Sequence, residues 1–362
     1  MAYYSVSAAA IRRNIEKIQA RAGEKTVWAV LKGNGYGIGL LNLAAICRAA
    51  GLTHFAVTEP EDAITLRESG SAQEEVLLLR PEQNAETLRN LCRHDVICTV
   101  ASQQDAMALA DAARAETMRA RAHLKIDTGM GRYGFLPDQL DEILSCYEYL
   151  AHIDFCGVYT HFASAFCSKS FTKLQAERFT MVCDAIRAAG YDVGHVHAGN
   201  SAALFRHLDD CQDGVRVGSA LLGRLPFRTD LEKVGVCRAE LTEPRWLPKG
   251  ATCGYGCAFR ASKPIRIAVL PVGWYNGYAT EIGADTFRIR DCLRRAFGAL
   301  KSLLFPRRLT VTVGKQKCRV LGHVGMCHTT IDITRVHLSP DTMAELELNP
   351  TRLREIPVRI EE

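Results

Sequence analysis

Ala29-Val-Leu-Lys-Gly-Asn-Gly-Tyr-Gly-Ile-Gly39 is the stretch whose reading decides the fold. The apolar run at 27–31 reads as a buried strand. It delivers Lys32 into a turn rich in glycine before an apolar helix begins. In α/β proteins, ligand sites lie at such carboxyl ends of strands. A lysine there must be paired, neutralised or covalently used, because an unpartnered ammonium out of water is costly. Desolvation and nearby cations lower a lysine pKa and make the amine nucleophilic toward an aldehyde cofactor. Glycine lets the backbone take positive φ and approach a phosphate closely. A lysine beside a phosphate cradle suggests pyridoxal 5'-phosphate. The stretch equally suits a tight βα turn with a solvent-facing lysine. It lacks the Gly-Lys-Ser/Thr ending of a nucleotide loop, so ATP fits less well.

Outward from this point a beat of short apolar strands and amphipathic helices sets in. Ser7 caps a helix with Ile11, Ile15 and Ile18 at helical spacing, ended by Gly23. Strands are expected at 27–32, 54–58, 75–80, 96–100, 122–127, 155–162, 193–198 and 215–219, with helices between them such as 102–115, 137–150 and 171–189. Eight βα units in about 200 residues match a (β/α)8 TIM-like barrel, with a doubly wound open sheet as the alternative. After Leu225-Pro226 the beat stops. Short β-like runs at 266–272, 309–313, 318–324 and 330–333 predict a β-rich C-terminal domain, giving domains at 1–230 and 231–362. Within it, 286–304 reads as an inserted basic amphipathic helix, expected to pack on its own domain with a solvated basic face, with docking on a membrane or partner as the alternative.

Composition narrows the class. The 362 residues are 48% hydrophobic and 23% charged, as in an ordinary globular chain. A net charge of +5 is too mild to imply nucleic acid. The fourteen cysteines scatter through helices and strands of a large chain, which suits reduced thiols and a cytoplasmic location. No stretch reads as a signal peptide or a membrane span, so no membrane partner is expected.

Barrel geometry gathers the ends of distant strands on one face. Lys125-Ile-Asp-Thr-Gly-Met-Gly-Arg-Tyr-Gly134, Tyr159-Thr-His-Phe162, His195-Val-His-Ala-Gly-Asn-Ser201 and Val215-Arg-Val-Gly-Ser219 qualify, and Cys253-Gly-Tyr-Gly-Cys257 and Val324-Gly-Met-Cys-His328 lie in the β-rich region. Singly, each has a bland reading: a core histidine, a loop ion pair. His195 and His197 share a strand face, but no further spacing completes a metal site.

As an ordered set these motifs resemble the alanine racemase family, the fold-type III pyridoxal phosphate enzymes, from the first helix to about Pro357. The resemblance implies a homodimer with shared active sites that acts on a small amino acid, foremost L-alanine to D-alanine for peptidoglycan. It implies that Lys32 carries the cofactor and is one catalytic base, and that Tyr255, given to the other subunit's site, is the opposite base. By the same resemblance Tyr36, Asn200, Ser201, Gly218 and Ser219 belong to the cofactor's phosphate side. Arg216 faces its ring nitrogen, and His161 links Arg216 to the partner's Tyr255. Arg132 and the backbone of Met326 take the substrate carboxylate, and Lys125 is the candidate for carbamylation. A base on each face of Cα is what racemisation needs. An arginine at the ring nitrogen, unable to give up its proton, weakens the electron sink and disfavours side chemistry.

Some residues depart from the family pattern. Cys327 follows Met326 where an acid is usual, Trp274 and Phe166 stand at entrance positions usually held by a tyrosine and an acid, and Arg354 or Leu353 occupies the neighbourhood of a pocket-narrowing tyrosine. These fall on the substrate's route, which leaves serine as an alternative substrate and a non-catalytic pyridoxal phosphate-binding carrier or regulator as an alternative of another class.

Overall fold

The computed structural model describes residues 1–149, 151–208, 213–280, 289–304 and 308–362. The chain divides into two compact units: Ser7–Val234 with Glu362, and Met1–Val6 with Gly235–Glu361.

After an N-terminal strand β1 (Ala2–Ser7) come β2 (Thr26–Val30), β3 (His54–Val57), β4 (Glu75–Leu78), β5 (Cys98–Val100), β6 (Ala120–Lys125), β7 (Ile153–Tyr159), β8 (His195–Asn200) and β9 (Gly214–Val217). Each of β2 to β9 pairs in parallel with its neighbours, and β2 also pairs with β9. Leu77 of β4 bridges Ile97 just before β5, so the sheet closes on itself. The expected TIM-like barrel forms, and closure excludes the open sheet. Alternate residues face inward, giving an interior cluster of Trp28, Val30, Ala56, Leu77 and Ile97. Burial of each of Val30, Leu77 and Ile97 contributes about 1.5–3 kcal/mol.

The helices follow their local signals. Ser7 accepts a hydrogen bond from Ala10 N and Ser102 from Asp105 N, capping helices Ala8–Ala22 and Gln103–Ala115. The pattern at 137–150 yields less helix than expected, Leu140–Ser145 and then a 3-10 turn Cys146–Tyr149. Gln139 Oε1 accepts from Leu136 N and holds the preceding residues in a turn. Residue 150 lies outside the described residues.

The second unit adds β10 (Gly235–Glu240), β11 (Arg245–Leu247), β12 (Thr252–Cys253), β13 (Phe259–Arg260), β14 (Ile265–Leu270), β15 (Thr310–Val313), β16 (Gln316–Arg319), β17 (Thr329–Asp332), β18 (Met343–Leu346) and β19 (Val358–Glu361). They form a six-stranded sheet in the order β16-β15-β18-β10-β1-β19, a three-stranded sheet β11-β14-β17 and the pair β12-β13. Leu247, Ala261, Ile265, Ile267 and Leu321 make a core there. The first strand therefore belongs to a sheet with residues 229 to 237 positions later, Ala2 lying opposite Ala239 and Val6 opposite Gly235.

The inserted helix spans Ile289–Leu304, and the expected residues 286–288 lie outside the described part. The expectation that it packs on its own domain is overturned. Ile289, Leu293, Phe297 and Leu300 are 55–80% exposed, because a single narrow stripe on a helix finds no facing apolar surface in the described residues. None of the described helices is long and apolar enough to cross a membrane.

Candidate active site

The strand β2 ends at Val30, and the chain then makes one left-handed turn. Gly33, Asn34, Gly35 and Tyr36 have φ of 63°, 52°, 60° and 55°. Glycine adopts this region freely and asparagine tolerates it, but for a bulky tyrosine it is strained. Asn34 Oδ1 accepts from Leu40 N at 2.9 Å and locks the turn to the following helix. The Tyr36 ring lies against Gly218, where an added Cβ would fall 2.0 Å from the Tyr36 hydroxyl. The turn places Lys32 and Tyr36 on the wall of one cavity of about 500 Å³ inside the barrel mouth.

The ends of β8 and β9 build the neighbouring wall. Asn200 Oδ1 accepts from Ala202 N and Ala203 N, while its Nδ2 donates to Phe162 O. Ser201 Oγ accepts from Gly218 N at 3.2 Å. The Tyr36 and Ser201 hydroxyls thus converge on the Gly218 backbone, a polar surface free of carboxylates and suited to an anion.

Beneath them sits Arg216, 4% exposed. Its guanidinium donates to His197 Nδ1 at 2.8 Å, to the carbonyls of Thr160, His197 and Ala198, and to His161 Nδ1 at 3.4 Å. Since Arg216 occupies Nδ1, the His197 proton sits on Nε2 and is donated to His123 Nδ1 at 3.0 Å. Burial, reinforced by Arg216, pushes His161 and His197 well below the usual histidine range. Burial also lowers Arg216 to about 10, still protonated at neutral pH. It is a buried cation held by neutral acceptors.

Two lysines share the cavity. Burial and then Arg132 lower the Lys32 pKa. Burial, with Arg216 and Arg132, brings Lys125 to about 7, and its Nζ stands 4.2 Å from the centre of the Tyr159 ring. Arg132 rides on a loop wrapped around Asp127, whose carboxylate accepts the backbone N–H groups of Gly129, Met130, Gly131 and Arg132 at 2.7–3.1 Å. Burial acts to raise the Asp127 pKa, but the four N–H donors outweigh it and hold the group below the ordinary carboxylate range. Lys32, Lys125, Arg132 and Arg216 give the cavity an excess of positive charge. Glu59, ion-paired with Arg80 at 3.1 Å, is the carboxylate residue lining it.

Of the residues singled out from sequence, Lys32, Tyr36, Lys125, Arg132, His161, Asn200, Ser201, Arg216, Gly218 and Ser219 line this one cavity. Tyr255 and Met326 belong to the second unit, do not line it, and are 78% and 49% exposed. Phe166 lines the cavity, whereas Trp274, Leu353 and Arg354 line a pocket of about 370 Å³ in the second unit. Sequence reasoning missed the Glu59–Arg80 pair and the supporting role of Asp127. The only signal for Asp127 was its place before three closely spaced small or flexible loop residues. Among the described residues no cluster of His, Cys, Asp or Glu could hold a metal ion. His195 and His197 serve the barrel interior instead, His195 accepting from Trp28 Nε1 at 3.1 Å.

Comparison with known proteins gives a consistent picture. A model of the alanine racemase N-terminal domain matches residues 6–226, and one of the alanine racemase C-terminal domain matches 234–356. The chain is 34% identical over 281 residues to an alanine racemase of Desulforamulus reducens, covering 74% of this chain and 75% of that one. An alanine racemase of Oceanobacillus iheyensis is 29% identical over 345 residues, with 92% and 85% covered. Among solved structures, the alanine racemase of a D-cycloserine-producing Streptomyces lavendulae superposes with a TM-score of 0.85 at 23% identity, covering 100% and 97%. That of E. faecalis superposes with 0.82 at 25% identity, covering 99% and 98%.

Proposed function

This chain belongs to the alanine racemase family and is an amino-acid racemase, an isomerase; from that premise we propose that it interconverts L- and D-alanine with pyridoxal 5'-phosphate, supplying the D-isomer for peptidoglycan. The observation that carries the reading is the cavity itself, in which a lysine of lowered pKa, two converging hydroxyls and a buried arginine without a carboxylate partner share about 500 Å³. These residues fit the cofactor. The Gly218 surface, which a Cβ would close against the Tyr36 hydroxyl, suits its phosphate together with Tyr36, Ser201 and Ser219. Asn200 fixes that wall by capping the helix start. Arg216 suits its ring nitrogen.

When bound, pyridoxal phosphate supplies an aldehyde that captures the substrate amine and a ring that draws electron density from Cα. The protein's part is positioning and proton transfer. Lys32, its proton weakened by burial and by Arg132, takes or returns the Cα proton on one face. Tyr255 of the partner subunit does so on the other face, with the neutral His161 between it and Arg216. The homodimer is then the active unit, and residues 231–362 serve the partner's site while 1–230 hold the cofactor. Arg132 and the backbone N–H of Met326 hold the substrate carboxylate. Arg216 keeps its proton at neutral pH and so limits the ring's pull, which favours return of the proton to Cα over other outcomes. Lys125, half neutral near pH 7, is poised to capture carbon dioxide; the resulting carbamate anion would pair with Arg132.

Serine is a second substrate reading, favoured by the polar Glu59–Arg80 pair on the cavity wall. The test is α-proton exchange in heavy water with added pyridoxal phosphate, followed by NMR across L-amino acids. Exchange of alanine with appearance of the D-isomer is expected. Faster exchange of serine selects the second reading, and cofactor binding without exchange of any amino acid refutes the two-base assignment.

A further inference from the structure

The helix Ile289–Leu304 takes no part in the chemistry above. Ile289, Leu293, Phe297 and Leu300 recur at intervals of four, four and three, a single stripe on a helix of 3.6 residues per turn. They are 80%, 65%, 70% and 55% exposed. In proteins it is mostly burial of such a face that stabilises a helix, so a stripe left in water marks an interaction surface.

Charge identifies what covers it. The helix contains Arg290, Arg294, Arg295 and Lys301 against a single acid, Asp291, a formal charge of +3. The whole chain carries +5, so more than half of its net charge lies in these sixteen residues and everything outside them sums to +2. The basic character of the protein is concentrated on and around one amphipathic helix.

We propose that this helix docks the protein on an anionic lipid bilayer, lying along the surface with its apolar stripe in the acyl boundary and its basic residues among the headgroups. Interfacial helices combine these two features, an apolar stripe and Lys/Arg on the polar face. The negative potential of an anionic leaflet attracts each basic residue near it. Sixteen residues rise about 24 Å, enough for four apolar side chains to touch one plane at once. Crossing the bilayer is a different matter, for which none of the described helices is suited. A second copy of the chain is a poorer occupant, since its charge outside this segment is close to neutral and offers no matching excess of acid. The proposal does not depend on the racemase reading.

The test is flotation of the full-length protein, loaded with pyridoxal phosphate, on vesicles of phosphatidylcholine alone or mixed with phosphatidylglycerol. Binding is expected only with the anionic lipid and is weakened by salt. Leu293→Glu with Phe297→Glu should lower the bound fraction at least about tenfold by removing two apolar anchors, with circular dichroism and racemisation unchanged. Phe297→Trp should gain a blue-shifted emission component on anionic vesicles. Absence of lipid-dependent binding overturns the proposal, as does equal binding by the double variant. A drop in the parent's oligomeric mass on the double substitution, without lipid binding by either, assigns the stripe to another copy and also overturns it.

Discussion

Lys125→Met is expected to stabilise the cofactor-free protein, by an amount that depends on pH. Lys125 is 3% exposed, its ammonium faces the Tyr159 ring, and among the described residues no carboxylate forms an ion pair with it. Burial, then Arg216 and Arg132, bring its pKa from 10.5 down to about 7. Burying the protonated amine therefore costs up to about 5 kcal/mol relative to an exposed lysine. The unfolded chain keeps this proton up to about pH 10.4, while the folded chain releases it near 7. Between those values the unfolded state binds more protons, so the cost is full below pH 7 and fades as pH rises toward 10. Methionine has a similar length and no charge, so its stability advantage should be several kcal/mol at pH 6 and small at pH 10, apart from a pH-independent packing offset. The assay is urea unfolding of both chains in carbonate-free buffer across that range. Titrations of groups distant from Lys125 are common to both chains and cancel in the difference, and His161 and His197, which its charge helps to hold well below the usual histidine range, are neutral in the fold across this pH range. An advantage that does not change with pH would refute the reasoning. Added bicarbonate near pH 8 should stabilise the parent more than the variant, because only the parent has the Lys125 amine to carbamylate.

Gly218→Ala would put a Cβ 2.0 Å from the Tyr36 hydroxyl and force that ring off the wall. Losing one hydrogen bond to a charged group should weaken pyridoxal phosphate binding about 10- to 100-fold by absorbance titration; affinity within twofold of the parent contradicts the assigned phosphate site. Asp127→Ala frees four backbone N–H groups and releases the Arg132 loop. We expect kcat/KM to fall about 100-fold or more with cofactor affinity little changed, and Asp127→Asn to recover part of the loss, since an amide oxygen still accepts. Mixing a Lys32→Ala chain with a Tyr255→Phe chain should restore one complete site per heterodimer, and the absence of any recovered activity would eliminate the shared-site assignment.

The barrel was legible because its signal is local. Strand candidates at 27–32 and 215–219 overlap the observed Thr26–Val30 and Gly214–Val217, since continuous apolar runs are what a strand buried on both faces requires. The short strands of the second unit were less so. Ala2–Ser7, Gly235–Glu240 and Met343–Leu346 have Ser5, Arg238 and Glu345 set among their apolar residues in place of a continuous apolar run, and their pairing joins the two ends of the chain. The inserted helix was visible as a helix, but whether its stripe is covered depends on neighbours that periodicity does not name.

By itself the sequence determined the alternation of strand and helix, the glycine turn after Lys32 and the order of the motifs, because each depends on residues within a few positions of one another. Tertiary structure alone decided what surrounds those residues. Barrel closure brings Arg216 against His197 and His161 without a carboxylate, exposes Lys125 to the charges of both Arg216 and Arg132, and presses Tyr36 onto Gly218. Packing and proton affinity are set by distances across the barrel, between Tyr36 and Gly218 182 positions apart and between Lys125 and Arg216 91 apart, and no local pattern encodes them.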